Sequence, residues 1–212
     1  MGCKEAMLLY AVTDRAWVGR QSLPQQVESA LKGGISCLQL REKNLGEEAF
    51  YAEALEIQAL CRQYGVPFII NDNVEVARRC GADGIHVGQS DMEAGALRDL
   101  VGPGMWIGVS AQTVGQALAA QAAGADYLGV GAVFATSTKA DAVEVSHQAL
   151  ADICRAVDIP VVAIGGINKN NIKELVGTGV DGVALVSAIF AAEDIQGECH
   201  ALRALSREMV GR

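Results

Sequence analysis

Four segments of this sequence echo one another: Gly34-Ile35-Ser36-Cys37-Leu38, Gly81-Ala82-Asp83-Gly84-Ile85, Gly124-Ala125-Asp126-Tyr127-Leu128 and Gly179-Val180-Asp181-Gly182-Val183. Each begins with a glycine able to take the left-handed position that closes a helix, then runs into the first residues of a strand. The echoes stand 47, 43 and 55 residues apart, too far for one strand–helix unit and suited to two. Echoes at every second strand predict eight strands. Apolar runs of strand length supply them: Leu8–Val12, Cys37–Leu40, Phe68–Ile70, Gly84–Val87, Trp106–Val109, Tyr127–Val130, Val161–Ile164 and Val183–Val186. These runs are continuously apolar rather than alternating, as in parallel strands covered on both faces. Helical spacing fills the intervals, for example over Glu47–Tyr64 and over Thr113–Ala123, where Val114, Ala117, Leu118 and Ala122 recur.

Eight such units in 212 residues predict an α/β chain folded as a single (β/α)8 TIM barrel over residues 1–212. A doubly wound open sheet would carry a glycine-rich turn after its first strand. Here that turn reads Thr13-Asp14-Arg15-Ala16. A net charge of −8 argues against a nucleic-acid partner, whose affinity comes from massed Lys and Arg. No apolar stretch approaches the roughly 20 residues of a membrane span, so no membrane partner is expected. Six scattered cysteines without C-x-x-C spacing read as reduced thiols of a cytoplasmic protein, and no signal peptide is visible. A homo-oligomer is permitted, since no apolar stripe can be told apart from the helix faces that cover a barrel.

In a TIM barrel the chemistry gathers at the C-terminal ends of the strands. Gln39, Arg41 and Lys43 alternate after strand 2, which aims them the same way and suits a phosphate or diphosphate. An unpaired Gln39 amide inside an apolar run would cost about 1–3 kcal/mol, so it is expected to have a partner. Asp72 and Asp91, from adjacent strand ends, could share one Mg2+ completed by water and phosphate oxygens; Asn71-Asp72-Asn73 could equally be a helix cap. Gly165-Gly166 after strand 7 and Val186-Ser187-Ala188 after strand 8, with a short helix at Ala188–Phe190, suit backbone binding of a phosphate. Thr136-Ser137-Thr138-Lys139, in the longest loop, could close over an anion. His86 reads as a barrel-interior residue, and His147 and His200 as surface residues. The pattern is one barrel with two anion sites, suited to joining two phosphorylated molecules.

In register from residue 8 to residue 190, Tyr10-Ala11-Val12-Thr13-Asp14, Gln39–Lys43, Ile70-Asn71-Asp72, His86-Val87-Gly88-Gln89 with Asp91, Gly108-Val109-Ser110, Val133-Phe134 leading to Thr136–Lys139, Ile164-Gly165-Gly166-Ile167 and Val186-Ser187-Ala188-Ile189 resemble the thiamine phosphate synthase family. The resemblance implies a transferase. It would join 4-amino-2-methyl-5-(diphosphooxymethyl)pyrimidine to a thiazole ethyl phosphate, or its carboxylated form, and release diphosphate by a dissociative, Mg2+-assisted substitution. By the same resemblance Arg41, Lys43, Ser110 and Lys139 are catalytic, and Asp72 and Asp91 hold one Mg2+ per subunit. Gln39, Leu40, Arg41, Glu42, Lys43, Asn71 and Ser110 would contact the pyrimidine diphosphate. Lys139 would join Arg41 and Lys43 in stabilising the leaving diphosphate. Thr136, Ser137 and Thr138 would serve the thiazole carboxylate side, and Gly166, Val186 and Ser187 the thiazole phosphate. The chain departs from the family at Ala132 and Ala135, where proline is usual, and at Asn73. The alternatives are a thiazole tautomerase of the same fold, which would not need the whole diphosphate and metal set, and a non-catalytic phosphate-sensing barrel. A Schiff-base aldolase would need Lys43 or Lys139 desolvated, and neither lies in an apolar setting.

Overall fold

Eight parallel strands hydrogen-bond in chain order and close on themselves: β1 (Leu9–Val12), β2 (Cys37–Leu40), β3 (Phe68–Asn71), β4 (Gly84–Val87), β5 (Trp106–Ala111), β6 (Tyr127–Val130), β7 (Val161–Ile164) and β8 (Gly182–Leu185). β8 pairs back onto β1 through Leu9 and Val183. The structure, a computed structural model, describes residues 2–19, 21–89, 94–136 and 144–211. Six strands differ from the apolar runs by no residue or one, and β8 starts and ends one residue earlier; β5 runs two residues further, to Ala111, because Ser110 and Ala111 stay in register with Gly129 and Val130 of β6. Around the barrel stand α2 (Leu23–Lys32), α3 (Glu47–Tyr64), α4 (Val74–Cys80), α5 (Ala94–Val101), α6 (Val114–Ala122), α7 (His147–Ala156) and α9 (Ile195–Met209), with the expected short helix after β8 present as α8 (Ser187–Phe190). Between β7 and β8 the chain makes only a 3-10 turn, Ile172–Leu175, so the last echo follows that turn and not a full helix. Among the described residues no helix is long and apolar enough to cross a membrane.

The echo has a structural cause at each position. Gly34, Gly81, Gly124 and Gly179 all have positive φ, between 65° and 91°. Two residues on, a side-chain oxygen accepts an N–H from the first or second residue of the preceding odd strand: Ser36 from Leu9 at 2.7 Å, Asp83 from Phe68 at 2.8 Å, Asp126 from Ile107 at 2.7 Å and Asp181 from Val161 at 3.0 Å. The same four residues donate their own N–H groups to the carbonyls of Leu9, Phe68, Ile107 and Val161. Four repeated ties therefore fasten strand pairs at the base of the barrel.

Alternation along the strands divides the core. Leu9, Leu38, Leu40, Phe68, Ile70 and Ile85 belong to the layer between strands and helices. Tyr10, Val12, Cys37, Ile69, Tyr127, Val162 and Ala184 fill the interior, with Ala6 and Met7 packed against them. Those last two follow from α1 (Cys3–Ala6), a short helix at the N-terminal side whose Lys4 pairs with Asp181 at 3.1 Å. The base is packed, which leaves the opposite end for chemistry.

Candidate active site

A cavity of about 430 Å³ opens at the C-terminal ends of the strands, and every strand contributes to its wall. Gln39, Arg41 and Lys43 all line it, as their alternation requires, and Asn71, Asp72, His86, Gln89, Ser110, Thr136, Gly166, Val186 and Ser187 join them. Leu40 and Glu42 do not. Leu40 is fully buried in the outer layer, on the opposite face of β2. Glu42 accepts from Arg15 Nε at 3.0 Å, and the same guanidinium donates to Glu53 of α3 at 2.6 Å. The expectation that these two side chains meet substrate is therefore corrected: the strand period that sends Gln39, Arg41 and Lys43 inward sends their neighbours outward. Asp91, Ser137, Thr138 and Lys139 lie outside the described residues.

Arg41 is held from β1. Thr13 Oγ1 accepts its N–H at 3.0 Å, and a carboxylate oxygen of Asp14 lies 3.7 Å from its guanidinium. Thr13 is buried, a position that the sequence marked only as polar. At the end of β3 the capping question is resolved: Asn73 caps α4, its Oδ1 accepting from Val76 N–H at 2.8 Å. Asp72 is thereby spared that role. It sits at φ 62°, the sole non-glycine of positive φ among the described residues, with its N–H on the His86 carbonyl at 2.9 Å and Asn71 Nδ2 donating to its carboxylate at 2.6 Å. Left-handed backbone costs such a residue about 1 kcal/mol, and strain of this kind gathers at functional positions.

Inside the barrel a chain of hydrogen bonds crosses from β2 to β5. Gln39 Nε2 donates to Tyr10 Oη at 2.8 Å, the Tyr10 and Tyr127 hydroxyls meet at 2.8 Å, Tyr127 Oη lies 3.1 Å from His86 Nδ1, and His86 Nε2 lies 3.1 Å from Ser110 Oγ. Gln39 has its expected partner, and His86 is an interior residue that meets the cavity. Burial pushes both phenols well above the ordinary tyrosine range, so each keeps its proton. Two glycines make room for this chain. A Cβ on Gly108 would run into the Tyr127 ring and His86 Nδ1, and one on Gly129 would lie 3.0 Å from His86 Cε1.

Gly165 and Gly166 both have positive φ, 99° and 66°. A Cβ on Gly165 would lie 2.5 Å from Ala132 Cβ, and one on Gly166 would meet the Ala135 carbonyl. Val133 and Phe134 donate to the carbonyls of Ile164 and Gly165 at 3.0 and 3.1 Å. The glycine pair thus seats the root of the β6 loop as well as lining the cavity. Phe134 in turn meets His147 edge-on, with ring centroids 5.1 Å apart, so His147 is half-buried; His200 is exposed, as expected.

The family model for thiamine monophosphate synthase matches residues 9–189. The chain belongs to that family. It is 45% identical over 200 residues to the thiamine-phosphate synthase of Clostridium tetani, covering 94% of this chain and 96% of the relative. It is 47% identical over 194 residues to that of Ruminiclostridium cellulolyticum, covering 92% of each. The thiamine phosphate pyrophosphorylase structure from Pyrococcus furiosus superposes with a TM-score of 0.91 at 38% identity, over 99% of this chain and 100% of that one. Membership makes the chain a transferase of thiamine biosynthesis, the activity that the eight motifs implied. For thiamine phosphate synthases, an Mg2+ site can be tested against the residues present. Among the described residues no three His, Cys, Asp or Glu side chains gather as metal ligands. Mg2+ commonly takes only one or two carboxylates, the remainder being water and substrate phosphate oxygens, and Asp72 at the cavity wall fits that mode.

Proposed function

We propose that this cavity carries out the synthase reaction with the residues named above in the following roles. Arg41 and Lys43 bind the diphosphate of the hydroxymethylpyrimidine substrate, and Asn71 and Gln39 flank its pyrimidine. Asp72, with Asp91, would hold Mg2+ at the diphosphate, where the bound ion adds positive charge against the leaving group. The C–O bond to the pyrimidine methylene breaks with its electron pair leaving on the diphosphate. The thiazole nitrogen then donates its lone pair to the resulting carbocation, forming the new C–N bond. No strong base is called for; stabilising the departing anion is the main demand, and fixed cations in a partly closed site meet it. Gly166, Val186 and Ser187 receive the phosphate of the thiazole, with Thr136, Ser137, Thr138 and Lys139 closing from the β6 loop. All six cysteines stand as free thiols, in keeping with a cytoplasmic site of action.

One observation carries the assignment of roles: Arg41, Lys43 and Asp72 share a single cavity with the glycine and serine ends of β7 and β8. That gives two anion-binding ends in one space. The test mixes the two phosphorylated precursors with protein and Mg2+ and follows diphosphate and thiamine phosphate together. Equal release of both supports the reading. Folded protein that yields neither overturns it.

A further inference from the structure

The hydrogen-bond chain that crosses the barrel has a direction. Gln39 reaches Tyr10 through Nε2, which can only donate. Tyr10 Oη therefore accepts there, and its single hydrogen is left for Tyr127 Oη. Tyr127 accepts that hydrogen and has its own for His86 Nδ1, which must then be the bare nitrogen of the ring. The remaining proton sits on Nε2 and points at Ser110 Oγ. With the Gln39 amide turned this way, any other arrangement strands a phenol hydrogen in the barrel interior, where an unpaired donor costs about as much as a lost hydrogen bond; the opposite amide orientation would reverse the whole chain and put the His86 proton on Nδ1.

We propose that Tyr10, Tyr127 and His86 are positioning residues that lock His86 as its Nε2–H tautomer and thereby oblige Ser110 to offer its own hydroxyl hydrogen to the substrate. Ser110 Oγ already accepts from His86, so its O–H is the group left to face the cavity that it lines. It meets an acceptor atom of the pyrimidine diphosphate, a ring nitrogen or a phosphate oxygen. Gly108 and Gly129 are the second mark of this arrangement. A methyl group at either would displace the imidazole or the Tyr127 ring, and small movements break hydrogen bonds whose strength falls steeply with angle. The proposal rests on the synthase reading for its substrate, while the tautomer belongs to the free protein.

The test has two arms. In the first, 15N NMR of the free wild-type protein reads the His86 ring, assigned by comparison with His86→Asn. A protonated Nε2 and a bare Nδ1 are expected; a protonated Nδ1 overturns the proposal whatever the activity. In the second, Tyr127→Phe and Ser110→Ala are combined in a kinetic cycle. Tyr127→Phe is expected to lower kcat for the pyrimidine diphosphate about tenfold, the scale of one hydrogen bond, with KM for the thiazole phosphate unchanged. Added to Ser110→Ala it should cost nothing more, since its effect runs through Ser110. Losses that multiply would mark Tyr127 as merely structural and overturn the role. If Tyr127→Phe unfolds, Tyr10→Phe serves instead: it removes the hydrogen that Tyr127 accepts and so loosens the hydroxyl that faces His86. A smaller loss of kcat that vanishes in the Ser110→Ala background is then expected, and a loss that multiplies with Ser110→Ala overturns the role. Wild-type protein without condensation activity would sink the synthase reading and leave the tautomer result standing on its own.

Discussion

Asp72 combines two properties at one position, a carboxylate at the cavity wall and a left-handed backbone. Asparagine tolerates the same backbone but lacks the charge. Asp72→Asn is therefore expected to unfold at the wild-type urea concentration while losing about ten- to a hundredfold in turnover and in sensitivity to added Mg2+, the scale of one charge-assisted interaction. Mg2+ titrations of diphosphate release check this, and wild-type Mg2+ dependence in the variant would remove Asp72 from the metal assignment. Gly108 is the opposite case, a residue whose lack of a side chain is what counts. Gly108→Ala drives a methyl group into the Tyr127 ring, and overpacking of this kind costs about 1–3 kcal/mol, read as a lower urea midpoint. The sequence marked Asp72 as a candidate through its place at a strand end. It carried no sign of Gly108's role, because the ring that needs the space comes from β6.

The four ties at the base act on strand pairs. Removing one carboxylate leaves a buried strand N–H without its acceptor, so Asp83→Ala and Asp181→Ala should each lose about 1–3 kcal/mol in urea unfolding. The two sites lie on well-separated strand pairs and their losses should add. Asp126→Ala is expected to lose more, since the Arg98 guanidinium also binds that carboxylate, at 2.5 Å, and would be left facing a gap. Equal stability of all three variants with wild type would show that the ties are ornamental. The glycines of the echoes were readable because a helix end needs left-handed backbone. The ties were half-readable: the repeated Ser or Asp was visible, but its partner, at the start of the strand before, emerges only when neighbouring strands align.

Across the whole molecule, burial governs the thiols. It pushes Cys3, Cys61, Cys154 and Cys199 up to about 12, and raises Cys37 and Cys80 as well. The thiolate is the reactive form, and a pKa near 12 leaves roughly one thiolate in ten thousand at pH 8. Native protein should therefore react with Ellman's reagent far more slowly at pH 8 than urea-unfolded protein, which should yield all six thiols. The same shift has a sign for stability. Above the ordinary value of 9.0 the unfolded chain releases thiol protons that the folded chain keeps, so stability should fall as pH rises from 9 toward 12. Denaturant midpoints measured across that range would check it; a flat profile would mean that the thiols are solvated.

The sequence by itself determined the strand count, the faces of β2 and the family, because helix closure, strand alternation and a set of motifs in register are all properties of residues near one another in the chain. It predicted that Gln39 needs a partner without naming Tyr10, and that Arg41 and Lys43 point together without showing that Glu42 is drawn off by Arg15 and Glu53. Which of Asn71, Asp72 and Asn73 caps a helix was also left open, and the structure assigns it to Asn73. The chain from Gln39 to Ser110 belongs wholly to tertiary structure: its central contact joins Tyr10 and Tyr127, 117 residues apart. Closure of the barrel brings those hydroxyls to one point, and no local period in a sequence encodes what meets across an interior.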